Sequence, residues 1–365
     1  MKLSASREAF LAPLQAVIGV VERRQTMPIL ANVLIVARGS EVSVTATDLE
    51  VEMVASADLT VDTDGEVTVP GRKLLDICKA LADGATVTLE VSGDKATLRS
   101  GRSRFTLATL PAADFPTVDA LAAEQSVELE QSAMKRLLDK SHFSMAHQDV
   151  RYYLNGLLFE IDGNNLRAVA TDGHRLATCR VTTASEGTSG HQVIVPRKGV
   201  LELQRLLGDE GTVTLAIGSN HIQAQVGNIR FTSKLIDGRF PDYRRVIPNR
   251  VDQSITAIRE DLRQALYRAA ILSNEKYRGV RLDVHANRLK IQAHNPEQEE
   301  AEEEVEVGYG GEEMEIGFNV NYLLDALAAL DGDEVHVQVT DPSSSCLIWD
   351  GETDGCEYVV MPMRL

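Results

Sequence analysis

No run of apolar residues in this chain approaches the roughly 20 that a membrane-spanning helix needs, and no basic leader followed by an apolar stretch opens it. Both absences point away from membrane spanning and secretion and toward the cytoplasm. Cysteine is scarce: Cys78, Cys179, Cys346 and Cys356 lie far apart and in no metal-ligand spacing. The expectation is reduced core or surface thiols and no bound metal. The motifs of common chemistry are missing too: no GxxxxGKS/T phosphate loop, no GxGxxG, no HExxH and no GxSxG elbow. The string nearest to catalysis is Thr171-Asp172-Gly173-His174-Arg175. A His beside an Asp, with no nucleophile or oxyanion hole nearby, reads as a turn or recognition element, so neither enzyme nor cofactor is expected.

What the chain has is repetition. Val67-Thr68-Val69-Pro70 followed by Arg72-Lys73-Leu74-Leu75-Asp76 returns as Val193-Ile194-Val195-Pro196 followed by Lys198-Gly199-Val200-Leu201-Glu202. It returns more weakly as Ile316-Gly317-Phe318-Asn319 followed by Leu323-Leu324-Asp325. The offsets are 196 − 70 = 126 and 323 − 200 = 123. In step with these, Thr47-Asp48 recurs as Thr171-Asp172 and His294-Asn295, and Arg104-Phe105 as Arg230-Phe231 and Glu357-Tyr358. A period this long fits a whole small domain and exceeds a solenoid repeat. The reading is an α+β protein of three tandem similar domains at 1–125, 126–253 and 254–365.

Within one copy, apolar residues at Phe10, Leu11, Leu14, Val17, Ile18 and Val21 predict a helix over Arg7 to Arg23. Strands are predicted at Leu30 to Val36, Glu41 to Thr45, Val51 to Leu59, Thr86 to Val91, Ala96 to Arg99 and Arg104 to Leu107. A second helix is predicted from Gly71 to Leu81, with Pro70 just before it. The later copies open with helices at Ser132 to Ala146 and Asp261 to Asn274, and the last helix spans Asn319 to Leu330.

The formal net charge is −17, from 37 basic and 54 acidic residues, so the distribution of charge decides whether an anion could be a partner. Bases recur about two turns apart on two helices, Arg72 with Lys79 and Arg197 with Arg205, and further helices contribute Lys135, Arg136 and Lys140, and Arg263 and Arg268. Each taken alone reads as an ordinary solvated face; repeated, they read as a shared basic surface. Glu297, Glu299, Glu300, Glu302, Glu303 and Glu304 crowd one segment of the third copy, while Lys73, Lys95, Arg99, Arg102 and Arg104 stand in the first. The acidic run is either a solvated or disordered loop, or one end of a head-to-tail contact that closes a ring.

Five strings carry a resemblance across the whole chain: TLPAADFP at Thr109 to Pro116, SMAHQDVRYYLNG at Ser144 to Gly156, ATDGHRLA at Ala170 to Ala177, DGRFPDY at Asp237 to Tyr243, and YVVMPMRL at Tyr358 to Leu365. In these the chain resembles the β subunits of bacterial DNA polymerase III, the sliding clamps. The resemblance implies a DNA clamp fold and a head-to-tail homodimer ring around duplex DNA, with helices lining the hole and sheets outside. It implies contacts to DNA by Arg24, Arg72, Gln148, Tyr152 and Tyr153, directed at phosphates and strand ends and not at base edges.

It also implies a cleft for partner peptides of the Gln-Leu-x-Leu-Phe type. Its wall would be Leu154, Thr171, Gly173, His174, Arg175, Leu176, Pro241, Arg245, Val246, Asn319, Tyr322 and Ser345, with the terminal Val359, Val360, Met361, Pro362, Met363, Arg364 and Leu365. Ser343 departs from the aliphatic residue expected there, and Tyr277 from Phe. The dimer contact would join Lys73, Phe105 and Leu107 to Ile271, Leu272, Glu299 and Glu302. Implied partners are the polymerase α subunit, the clamp loader, and other polymerases and repair proteins. The rival readings are a DNA-binding module that forms no ring and, behind it, an enzyme.

Overall fold

The computed structural model describes residues 1–21, 27–118, 121–184, 190–251, 254–351 and 355–364. The first copy runs β1 (Lys2–Ser6), α1 (Arg7–Val17), β2 (Asn32–Arg38), β3 (Glu41–Thr47), β4 (Val51–Asp58), β5 (Thr60–Thr63), β6 (Gly65–Pro70), α2 (Gly71–Ala80), β7 (Thr86–Ser92), β8 (Lys95–Ser100) and β9 (Ser103–Ala108). The second runs β10 (Gln125–Glu130), α3 (Gln131–Asp139), β11 (Gly156–Asp162), β12 (Asn165–Thr171), β13 (Arg175–Thr182), β14 (His191–Pro196), α4 (Arg197–Leu206), β15 (Thr212–Ile217), β16 (His221–Val226) and β17 (Ile229–Lys234). The third runs β18 (Ile255–Ile258), α5 (Arg259–Ala270), β19 (Gly279–His285), β20 (Arg288–His294), β21 (Glu300–Glu306), β22 (Met314–Asn319), α6 (Val320–Ala329), β23 (Glu334–Gln338), β24 (Cys346–Asp350) and β25 (Glu357–Val360).

Each copy divides its strands between two sheets. The first, seventh, eighth and ninth strands of copy one, joined by the short fifth, form β5-β1-β7-β8-β9. Their counterparts in copy two, β10-β15-β16-β17, continue without a break into β4-β3-β2-β6 of copy one. In the same way β14-β11-β12-β13 of copy two continues into β25-β24-β23-β18 of copy three, and β21-β20-β19-β22 stands alone. The chain therefore folds into two compact units that cut the middle copy: residues 1–132 with 198–235, and 133–197 with 236–365. The repeat seen in sequence and the compact body are different objects, because a sheet shared by two copies ties them more closely than the connection inside one copy does.

The helices bury one face by the expected spacing. On α2 the buried residues are Gly71, Leu74, Leu75 and Cys78, and on α5 they include Leu262, Ala265, Leu266 and Ala269, each an i, i+3, i+4, i+7 set, with Ala270 added at the end of α5. Ser6 caps α1 by accepting from the Ala9 N–H at 3.2 Å. Helix ends fall earlier than the apolar pattern predicts. α3 stops at Asp139 because Ser141 turns back and donates to the Leu137 carbonyl at 2.6 Å, and α5 stops at Ala270 where Ser273 donates to Ala270 at 2.7 Å. Lys140 thus lies outside α3, and Ile271 and Leu272 lie in the turn after α5. The Glu-rich segment expected as a loop or a contact end is a strand, β21, at a sheet edge. α1 gives way to a 3-10 turn at Ile18–Val20 and Val21 is already extended, so the helix expected to reach Arg23 ends early; Glu22 and Arg23 fall outside the described residues.

Cysteine is a correction. Cys179 and Cys356, expected as reduced thiols, are joined as a disulfide between β13 and the approach to β25. They are 177 residues apart in different copies, so sequence spacing carries no sign of them; the shared sheet sets them side by side, one step beyond the Thr178–Glu357 pair. Cys78 and Cys346 are free and buried, and burial pushes the Cys78 thiol up to about 11.

Candidate functional site

In the unit holding the chain end, β13 and β25 pair with Leu176 opposite Val359 and Arg175 opposite Val360. The turn before β13 is built by two side chains. Thr171 Oγ1 donates to the Arg175 carbonyl at 2.6 Å and accepts from the Gly173 N–H at 3.1 Å, while Asp172 accepts from the His174 and Arg175 N–H groups at 2.9 and 3.0 Å. Gly173 sits at φ 89°, where a Cβ would stand 3.0 Å from the Arg151 guanidinium, so only glycine fits without strain. The carboxylate of the catalytic-looking string is therefore consumed in making a turn. The Met361 N–H reaches the His174 carbonyl at 2.9 Å, and Met363 bonds Gly317 at 2.9 Å, which anchors the terminal segment along this wall.

Leu154, Leu176 and Val359 are buried in one apolar cluster with Phe240, Tyr243 and Trp349, and Val246 and Tyr153 pack on it from a half-buried position. Pro241 and Arg245 are exposed beside it, and Ser345 donates to the Met361 sulfur at 2.9 Å. Arg175 is shared among Asp172, Asp325, the Phe143 carbonyl and the Tyr322 ring, 4.5 Å from its centroid. Asn319 caps α6 through Asn321 and reaches the Tyr277 carbonyl at 3.3 Å. The expected peptide-cleft residues thus gather in one unit, except Leu365, which lies outside the described residues. Such a wall can bury an aliphatic or aromatic anchor, and the methionines adapt to more than one shape.

Sequence reasoning missed what holds this wall. Glu160, 3% exposed, accepts from Tyr243 Oη at 2.6 Å, from Arg244 at 2.8 Å and from Gln192 at 2.7 Å. Burial alone would raise this carboxyl; the hydrogen bonds from Tyr243, Gln192 and Arg244 outweigh it and hold it below the usual range. The Pro241–Val246 segment is pinned through Tyr243 and Arg244. The clue in sequence was a Glu inside the apolar run GLLFEI, ahead of the exposed Asp162 that ends the strand.

The residues expected to meet DNA stand differently from one another. The segment around Gln148 is a loop braced by two 2.9 Å bonds between Asp149 and Asn155, with Gln148 at φ 58°. It holds Gln148, Val150 and Tyr152 exposed, Val150 at 95%. Arg151 holds the Asp149 carboxyl down to about 2. Tyr152 and Tyr153 lie in a 3-10 turn, not a strand, with their rings edge to face at 5.8 Å. Arg72 is half-buried and donates to the Val21 carbonyl, while its Nε is buried without a partner. Arg24 falls outside the described residues. The shared basic surface is thinner than the sequence suggests, because Lys140, Arg205, Arg263 and Arg268 pair with Asp331, Glu202, Glu260 and Glu303.

The expected dimer residues lie at sheet edges or beside them. Phe105 and Leu107 are on β9, the edge of its sheet, and Lys73 is exposed on α2. Glu302 is on β21, also an edge, with Glu299 just before it. Ile271 is 68% exposed and Leu272 half-buried beside it.

Comparison with known proteins agrees along the full length. Residues 1–119, 128–242 and 244–364 match the N-terminal, central and C-terminal domains of the DNA polymerase III beta subunit family. The chain is 54% identical to the beta sliding clamps of Pseudomonas putida and Escherichia coli, with 100% of both chains covered in each case. A sliding clamp structure from Pseudomonas aeruginosa, bound to griselimycin, superposes with a TM-score of 0.96 at 53% identity over 100% of both chains. The Caulobacter crescentus pol III beta structure does so with 0.95 at 40%, again over 100% of both. The three-fold repeat, the shared sheets and these likenesses have one reading: the chain belongs to the DNA polymerase III beta subunit family and is a DNA sliding clamp of three-domain clamp fold.

Proposed function

We propose that this clamp acts as a closed head-to-tail homodimer around duplex DNA, in the cytoplasm, performing no bond chemistry. The observation that carries the reading is the pattern of edges. Within the chain, the last strand of one copy twice pairs antiparallel with the fourth strand of the copy before it: β17 with β4, and β25 with β13. The register is the same, with Phe231 opposite Met53 and Tyr358 opposite Ala177. β9 and β21 are the remaining last and fourth strands, and among the described residues they are edges where their counterparts are interior. Exposed edges invite pairing with another chain.

Carrying the register over gives the contact. His294 pairs with Glu300 as Thr171 pairs with Leu176, so Ala301 occupies the place of Ala177. Phe105 would then face Ala301 of the partner subunit, and Arg104 would face Glu302 of the partner subunit. The basic group around β9 and the acids of β21 favour that orientation over its reverse. Ile271 and Leu272 supply apolar surface beside it. Two copies contribute six domains and six equivalent junctions, which closes without a free end. Domains are set at 1–125, 126–253 and 254–365.

A ring grips DNA by topology, so its contacts need only be weak and directed to phosphates. Arg24 and Arg72 suit phosphates, and the braced loop of Gln148, Tyr152 and Tyr153 suits a strand end or an exposed base. The cleft around Leu176, Val246 and Met361 captures peptide motifs of the polymerase α subunit, the clamp loader, and other polymerases and repair proteins. Tethering then works by effective concentration. The test is retention: loaded by a clamp loader on nicked circular DNA, the protein stays through a high-salt wash and leaves when the circle is linearised. Equal loss from circular and linear DNA in that wash would favour the module that forms no ring.

A further inference from the structure

The other sheet junction has a groove of its own. In the unit of residues 1–132 and 198–235, Thr47, Leu49, Pro116, Leu121, His221 and Lys234 line a space of about 550 Å3. Strand register makes it the counterpart of the peptide cleft. The Thr47 turn repeats the Thr171 turn bond for bond: Thr47 Oγ1 donates to the Val51 carbonyl and accepts from the Leu49 N–H, and Asp48 accepts from the Glu50 and Val51 N–H groups. Phe231 aligns with Tyr358, so Lys234 stands where Met361 stands. Ala224 pairs with Phe231 as Ile348 pairs with Tyr358, which sets His221 at the place of Ser345. Pro116 follows Phe115 as Pro241 follows Phe240.

The substitutions between the two sites move the positive charge: at the turn His174 and Arg175 are replaced by Glu50 and Val51, while on the facing strands charge is gained. Two neutral groups, Ser345 and Met361, are replaced by His221 and Lys234. Lys234 and Glu50 approach within 3.7 Å, but their side chains are 46% and 61% exposed, so that pairing is weak and open to exchange. Gly173 is replaced by Leu49, which keeps φ 78° although it is not glycine and is 39% exposed. A leucine held in the left-handed region with its side chain at the rim of a groove is strain spent on presenting an apolar surface.

We infer that this groove binds a second class of peptide, a short extended segment that sets an aliphatic side chain against Leu49, Pro116 and Leu121 and a carboxylate at Lys234 and His221. The inference rests on the reading of the Met361 site as a peptide cleft, and predicts that the two grooves sort partners by charge.

The probe is the capped peptide Asp-Leu-Asp-Leu-Glu, titrated calorimetrically into the full-length protein, with Asn-Leu-Asn-Leu-Gln as its neutral control. Lys234→Met installs the counterpart's own residue, and Leu49→Gly relieves the turn, so both variants keep the fold; thermal melts check this. The acidic peptide is expected to bind with Kd below about 1 mM, and Lys234→Met to weaken it about tenfold. The neutral peptide should be insensitive to that change, and deletion of Met361 to Leu365 should leave acidic-peptide binding intact. No binding, equal affinity for Lys234→Met, or loss on the terminal deletion would overturn the inference, as would a DNA duplex that displaces the peptide at equal concentration. A Gln-Leu-x-Leu-Phe peptide run alongside separates the two readings: if it fails while the acidic peptide binds, the cleft assignment falls and the groove stands.

Discussion

At the β4–β17 junction a glutamate, Glu52, lies 5% exposed in the ladder and accepts the Val118 N–H at 3.0 Å; at the β13–β25 junction the same ladder position is Leu176, 2% exposed. Burial pushes the Glu52 carboxyl up, although the Val118 N–H and Arg230 pull it down. The second junction keeps its charge elsewhere, in Glu160, where hydrogen bonds overcome burial and the carboxyl is pulled down. The backbone, the turn and the register are common to both. Main-chain hydrogen bonding specifies the junction, which leaves the side chains at its rim free to diverge into different recognition chemistry.

The largest expected effect tests whether a third such junction exists between chains. Replacing Ile271 and Leu272 together by Ala removes about 2 to 5 kcal/mol for each side chain that becomes buried in the contact. Dimerisation should weaken by more than about a thousandfold; sedimentation of the variant at micromolar concentration that matches the parent dimer would remove these residues from the interface. Next is deletion of Met361 to Leu365. It strips one wall of the cleft without touching β9 or β21, so a Gln-Leu-x-Leu-Phe peptide should lose about tenfold or more in affinity while the dimer persists. Unchanged affinity would sink the cleft assignment.

The two glutamates give smaller effects of opposite sign. A carboxyl lowered in the folded state stabilises above its unfolded value of about 4.5 and loses that contribution as pH falls. Glu160→Gln should therefore cost on the order of 2 kcal/mol at pH 7, with the gap to the parent closing below pH 4.5. A carboxyl raised in the folded state opposes folding as pH rises through its folded value. Glu52→Gln should melt slightly above the parent at pH 8 and level with it below pH 4.5. Two variants with the same pH trend in melting temperature would show that the junctions do not differ electrostatically as described.

Much of this was legible in the chain. Repeated strings such as VTVP and VIVP mark the strand before the second helix in the first two copies, and the apolar pattern finds five of the six α-helices among the described residues because burial decides both; α4 was marked only by its paired bases, Arg197 and Arg205. Helix ends at Asp139 and Ala270 were not legible, since Ser141 and Ser273 end them by back-bonding that an apolar pattern does not register. Family likeness named residues that the fold gathers in one unit, which leaves their role as a cleft a proposal; the Glu160 network was not legible, because its partners Gln192, Tyr243 and Arg244 are distant in sequence and meet only after β11 and β14 pair. The Cys179–Cys356 pair was hidden for the same reason. The compact units were hidden most completely, since a repeat announces what is similar and says nothing of which copies share a sheet.

The account turns on β9 of one chain pairing with β21 of another. Light scattering on the purified protein at micromolar concentration measures that directly. A mass of twice 39.9 kDa is the predicted result, and a mass of 39.9 kDa would contradict it.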